Sequence, residues 1–216
     1  MGDSLKDYPE RIRNKPRRKP YTIKFLRKAL HSISGVLALI FYFFPNQENI
    51  FVFWLSVLII LSLIFDALRL AFPHINHFVF HRLRFLFVER DKHKINSANF
   101  YFMGCLLTIT LFPVEMAAIG ILYLSVGDTF AALGGIYLKP FVPFKIPKTQ
   151  KTFIGSITFI LVAGCIGLLF NLPPLVAWIS AFVGALFEAL PLGIDDNFTV
   201  PISSTATIWF LTQTPF

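Results

Sequence analysis

Charge is scarce in this chain: 15% of its 216 residues are Asp, Glu, Lys or Arg, against 55% that are hydrophobic. With a mean hydropathy of +0.65, this composition excludes an ordinary soluble domain. Cysteine is scarcer still. Cys105 and Cys165 both sit inside apolar runs, which excludes a disulfide framework and any cysteine-based metal spacing. No G-x-x-x-x-G-K-[ST] occurs, so a P-loop is excluded. No small-residue cleavage pattern stands near the first apolar run, which therefore reads as a retained membrane helix and not a signal peptide. His74, His77, His81 and His93 fall in one stretch without a supporting acid, and read as solvated residues and not as metal ligands.

What the chain has in abundance is long apolar runs, with 26 Phe among them. Stretches at 31–45, 50–72, 97–113, 115–135, 152–170, 173–192 and 199–214 compare with the roughly 20 residues that cross a bilayer core. The expected fold is all-α: a polytopic membrane protein of about seven transmembrane helices, six plus a last segment that is short or re-entrant. A basic cytoplasmic arm, residues 1–26, precedes a single integral-membrane catalytic domain, 27–216.

The net charge of +8 is unevenly placed: residues 1–30 hold ten Lys/Arg against three acids. "HRLRFLFVERDKHK" (81–94) and "LKPFVPFKIPKTQK" (138–151) carry nearly all the other bases. The breaks "FFPNQEN" (43–49), "LFPVE" (111–115) and "NLPP" (171–174) carry none. By the positive-inside rule, the basic segments face the cytoplasm. The charge then points to anionic headgroups and nucleotide phosphates as partners, not to nucleic acid. On this map Arg27, His31, Asp66, Asp128, Asp195 and Asp196 all collect at the cytoplasmic face. A small ion or solute transporter would spread such acids through the membrane depth.

"SVGDTFAALGG" (125–135) sets Asp128 and Thr129, ligands for a hard cation, beside Gly127, which allows close backbone approach. Plain helix packing explains the small residues but not the carboxylate. "KIPKTQKTFIGS" (145–156) places Lys148 and Lys151 before a helix start near Thr152, where free N–H groups favour an anion. "RKALHSISG" puts Arg27, Lys28 and His31 together, with Arg27 and His31 on one face. "LIFDALRL" pairs Asp66 with Arg69 at i+3; a local ion pair and a functional acid compete here. Glu89 and Asn96 stand at the mouth of the third run. "FEALPLGIDDNFTVPI" brings Glu188 near Asp195, Asp196 and Asn197, with Pro201 interrupting a regular helix start.

Taken in order, "RKALH", "VGDTFAALGG", "KT" with "GS" (151–156) and "EALPLGIDDNFTVPI" resemble the CTP-dependent lipid kinases, the group of dolichol, yeast-type diacylglycerol and phytol kinases. The likeness runs from about residue 27 to 202. It implies transfer of the γ-phosphate of CTP to a lipid alcohol with Mg²⁺, in a bacterial inner membrane or endoplasmic-reticulum-type membrane, with the active site facing the cytoplasm. Carried over, it implies catalytic roles for Asp128, Asp66, His31 and Lys151. It implies substrate or nucleotide contacts from Arg27, Lys28, Glu89, Asn96, Gly127, Thr152, Gly155, Ser156 and Asn197, to which the local sequence adds Thr129 and Lys148. It implies metal ligation by Asp128, Asp196 and Glu188 and favours Asp196 over Asp195, which stays a further candidate ligand from the local sequence. Pro201 belongs to the same pattern. One departure is Ile154, where the family often has an acid before Gly-Ser. Phosphatidate cytidylyltransferase, a distant relative that also uses CTP, is the alternative; its longer signature is missing here.

Overall fold

A computed structural model of the chain describes residues 35–213, save 37, 83–88, 139–143, 148 and 150. The arm 1–26 lies outside the described residues. Those described are helical, and an isolated bridge between Lys145 and Thr152 is the β-type pairing among them. After helical residues 35–36 and 38–43 come α1 (Glu48–Ala71), α2 (Pro73–Arg82), α3 (Ser97–Leu111) and α4 (Val114–Leu122). A π-helical segment, Tyr123–Gly127, joins α4 to α5 (Asp128–Tyr137); α6 (Phe153–Leu169), α7 (Pro174–Ala189) and α8 (Asp196–Gln213) follow. The all-α expectation is met.

Among the described residues, two helices are long and apolar enough to cross a membrane, α1 and the continuous rod Val114–Tyr137; α3, α6 and α7 are shorter and apolar. They meet different surroundings. The rod is the core, with Ala117–Leu122 buried in unbroken sequence. Against it pack α8 and α6, while α7 lies between α6 and α8, and α3 flanks α8. By contrast, α1 buries only Ile59, Asp66 and Arg69, and leaves Phe53, Trp54, Ile60, Leu61 and Ile64 exposed.

The closest approaches explain two glycines. A Cβ on Gly104 would lie 2.7 Å from the Asn197 carbonyl oxygen, so α3 and the start of α8 touch backbone to backbone. A Cβ on Gly155 would lie 2.9 Å from the Ala131 carbonyl oxygen, which brings α6 equally close to α5.

Two expectations are corrected. The last helix begins at Asp196, three residues before the expected 199, and runs through Pro201. Pro201 sits near the N-terminal end of α8, where a missing N–H interrupts less of the hydrogen-bond ladder. The basic connector also holds structure not foreseen: α2 and a short 3₁₀ turn, Glu89–His93.

Candidate active site

Four elements bring their charged ends to one place. The π segment widens the helix just before Asp128, and such one-turn π bulges recur at functional sites. Thr129 donates its hydroxyl to the Ser125 carbonyl (2.8 Å), so it braces this segment and faces its own helix. Gly127 is required by the neighbouring ring: a Cβ there would lie 3.0 Å from Phe159. Asp128 is thereby held buried at the first position of α5.

Glu188, in the last turn of α7, is buried as well. The chain then turns through Gly193, with φ of 75°, and restarts as α8. Asp195 caps that helix: its carboxylate accepts from the Asn197 main-chain N–H (3.1 Å) and side-chain amide (2.6 Å). The next residue, Asp196, is thereby aimed at the other two acids. Oxygens of Asp128, Glu188 and Asp196 lie within 4.8 Å of one another. Asp195 is not one of this group, which corrects its expected place among the metal ligands.

Lys151 enters from the loop before α6. That loop folds on itself, with Ile146 N–H donating to the Lys151 carbonyl (3.1 Å) and the Lys151 N–H to the Thr149 hydroxyl (3.2 Å). Its ammonium donates to Glu188 Oε1 and to Asp196 Oδ2 (2.6 Å), and lies 3.9 Å from Asp128 Oδ1. Burial alone would lower the lysine, but Asp128, Asp196 and Glu188 together outweigh it and hold the ammonium well above its ordinary value.

Three carboxylates around one ammonium leave the group short of positive charge, and like charges this close repel. The donor set is all oxygen, as a hard divalent cation requires. Two further oxygens support the fit. Ser156 Oγ and Thr199 Oγ1 are buried without a hydrogen-bond partner among the described residues, in the first turns of α6 and α8. Buried hydroxyls are ordinarily satisfied, so these two are candidates for a ligand or water contact.

The helix start at Thr152 differs from expectation. The Thr152 hydroxyl accepts from Gly155 N–H (3.2 Å), and Phe153 N–H donates to the Phe144 carbonyl (3.2 Å). Two N–H groups expected to meet an anion are therefore occupied within the protein.

Asp66 is built into something else. One oxygen accepts from Arg69 Nε (3.0 Å) and Nη2 (2.8 Å); the other accepts from Asn96 N–H (2.6 Å) and Asn99 Nδ2 (2.8 Å). Arg69, fully buried, also donates to the carbonyls of Asp91 (2.9 Å) and Lys94 (2.8 Å). This network ties α1 to the turn before α3, with Asn96 as the α3 cap (3.2 Å to Ala98 N–H). Of the two readings the sequence left open for Asp66, an ion pair with Arg69 and a functional acid, the ion pair is formed and both carboxylate oxygens are engaged. Glu89 contributes its main chain to the neighbouring turn. Arg27, Lys28, His31 and Lys148 lie outside the described residues. Asn99 and Thr199 escaped the sequence reading; their only signal was a polar residue in the first turn of an apolar helix.

No family model matches the chain, and no solved structure matches it significantly. Curated relatives do. The chain is 27% identical to CTP-dependent diacylglycerol kinase 1 of Schizosaccharomyces pombe, covering 86% of this chain and 92% of that one. It is 27% identical to the protein of that name from Saccharomyces cerevisiae (83% and 70% covered) and 24% identical to that from Eremothecium gossypii (82% and 64%). These homologues support the CTP-dependent lipid kinase family as the family of this chain.

Proposed function

We propose that the protein is an integral-membrane kinase that moves the γ-phosphate of CTP onto the hydroxyl of a lipid alcohol, with diacylglycerol as the acceptor. The observation that carries this reading is the meeting of Asp128, Glu188 and Asp196 around Lys151. The relatives' printed name supports the donor and the acceptor. Dolichol or phytol-type alcohols would need the same chemistry with a different tail.

The membrane part of the reading rests on the exposed apolar surface of α1, which is far larger than water tolerates on one helix. We count seven crossings, with the basic arm and both basic connectors in the cytoplasm. The three acids then face the cytoplasm, where nucleotide is found.

Phosphoryl transfer needs positioning and charge neutralisation more than covalent help. Asp128, Glu188 and Asp196 would hold Mg²⁺, which when bound neutralises charge on the triphosphate. Lys151, beside these acids, would contact the phosphate oxygens. Ser156 and Thr199 offer hydroxyls to the nucleotide. Arg27 or Lys28 would form a second phosphate clamp, and of the two candidate bases, Asp66 and His31, we take His31 to accept the proton of the lipid hydroxyl. Purified protein given CTP labelled separately at the γ- and α-phosphates tests the reaction class.

A further inference from the structure

Between α1 and α3 lies a cleft of about 250 Å³ whose lining is apolar. It lies between two attachments of α1. The Asp66–Arg69 network fastens the C-terminal part to the turn before α3, and toward the N-terminus Phe51 packs edge-on to Phe41 while Leu55 rests on the core. Trp54, Leu55 and Leu58 form one wall of the cleft and Tyr101, Cys105 and Ile109 another. Trp54 and Leu58 are exposed, so the cleft opens sideways along the face of α1.

We propose that this cleft holds a hydrocarbon tail of the acceptor lipid. The inference rests on the lipid-kinase reading and deepens it by assigning the acceptor's tail a place. Two observations tie the cleft to the reacting site. On one wall, Cys105 follows Gly104, which packs against Asn197 and Phe198, the residues directly after Asp196. On the other wall, Ala38 stands one turn from Gly35, which packs on Ser125, three residues before Asp128. The cleft is thus joined, through Gly104–Asn197 and Gly35–Ser125, to the segments that carry Asp196 and Asp128. From Tyr101 to Ile109 it follows α3 for about 12 Å, less than half of a bilayer core of about 30 Å. The occupant is chosen by what borders the opening: a side door into the membrane admits chains already in the membrane, and a lining that is almost wholly apolar favours a group that needs no hydrogen bond.

The test uses the full chain in phosphatidylcholine vesicles, with a diacylglycerol that carries a photoactivatable diazirine midway along one acyl chain. Crosslinks are located by mass spectrometry, and γ-phosphate transfer is measured separately. Crosslinks are expected within residues 50–58 and 101–109, competed by unlabelled diacylglycerol about tenfold better than by phosphatidylcholine. Leu55→Trp, which fills the cleft, is expected to reduce them at least fivefold; Leu58→Trp at the rim serves if the first variant does not fold. The same variants should raise KM for long-chain diacylglycerol and leave it unchanged for a dihexanoyl form and for CTP. Crosslinks spread evenly over exposed apolar residues such as Phe182 and Leu186, or insensitive to both substitutions, would mean bulk lipid alone and overturn the assignment. Localised crosslinks without phosphate transfer would remove the kinase reading and leave the cleft; transfer with scattered crosslinks would do the reverse.

Discussion

The Lys151 ammonium lies 2.6 Å from the Asp196 carboxylate, although the two residues are 45 positions apart, one on the loop before α6 and the other at the start of α8. With Glu188 and Asp128 around the same ammonium, the lysine occupies the position in which a divalent cation would be attracted by the same acids. This arrangement fixes most of what can be tested.

Removing one carboxylate should reveal its role. Asp128→Asn, Glu188→Gln and Asp196→Asn are each expected to lower kcat by about 10²-fold or more, a typical loss for a group that stabilises transition-state charge. They should also raise the Mg²⁺ concentration needed for half-maximal activity. Kinetics over a metal titration, with a melting curve to verify folding, provide the check.

Lysine and metal should substitute for one another in stability. In chelator, Lys151→Met is expected to destabilise the protein by about 1–3 kcal/mol, between the values for exposed and buried pairs. Millimolar Mg²⁺ should restore more of the melting temperature in this variant than in wild type. Equal Mg²⁺ responses in the two proteins would mean that metal and ammonium do not share these acids.

The same lysine predicts a pH range. Its carboxylate neighbours raise it above the ordinary lysine value in the folded state. A raised basic group stabilises fully below its unfolded pKa of about 10.4 and loses that contribution only as pH rises through the folded value. In chelator, the melting-temperature gap between wild type and Lys151→Met should therefore hold constant from pH 7 to 9. A gap that closes within that range would contradict the assignment.

Asp66 should behave as structure. Asp66→Ala leaves Arg69 buried without its carboxylate, which costs about 3–5 kcal/mol, and loosens the hold on α1. The folded fraction should nevertheless keep kcat within a few-fold of wild type, measured with active protein counted by nucleotide binding. A loss of 10³-fold in kcat with unchanged stability would return the acid to catalysis.

Much of this was legible in sequence for physical reasons. Apolar runs at membrane length give the helices, and Asp128, Glu188 and Asp196 stand out because carboxylates are rare in such surroundings. The rest depends on contacts far apart in the chain. Asp66 meets Asn96 across 30 positions and Arg69 meets Lys94 across 25, so neither bond is readable from an i+3 pair alone. The π segment before Asp128 has no side-chain signature in the sequence. Asp195 and Asp196 look equivalent in a string; only the helix start at Asp196 separates a capping acid from one that faces the site.

The central claim is that these acids support transfer of a terminal phosphate to lipid. The most direct measurement gives purified protein, diacylglycerol and Mg²⁺ with CTP labelled at either the γ- or the α-phosphate, and extracts the lipid. The account predicts γ-label in the lipid, none from the α-position, and loss of the signal in Asp128→Asn. Label entering the lipid from the α-phosphate, or γ-transfer undiminished in Asp128→Asn, would contradict it.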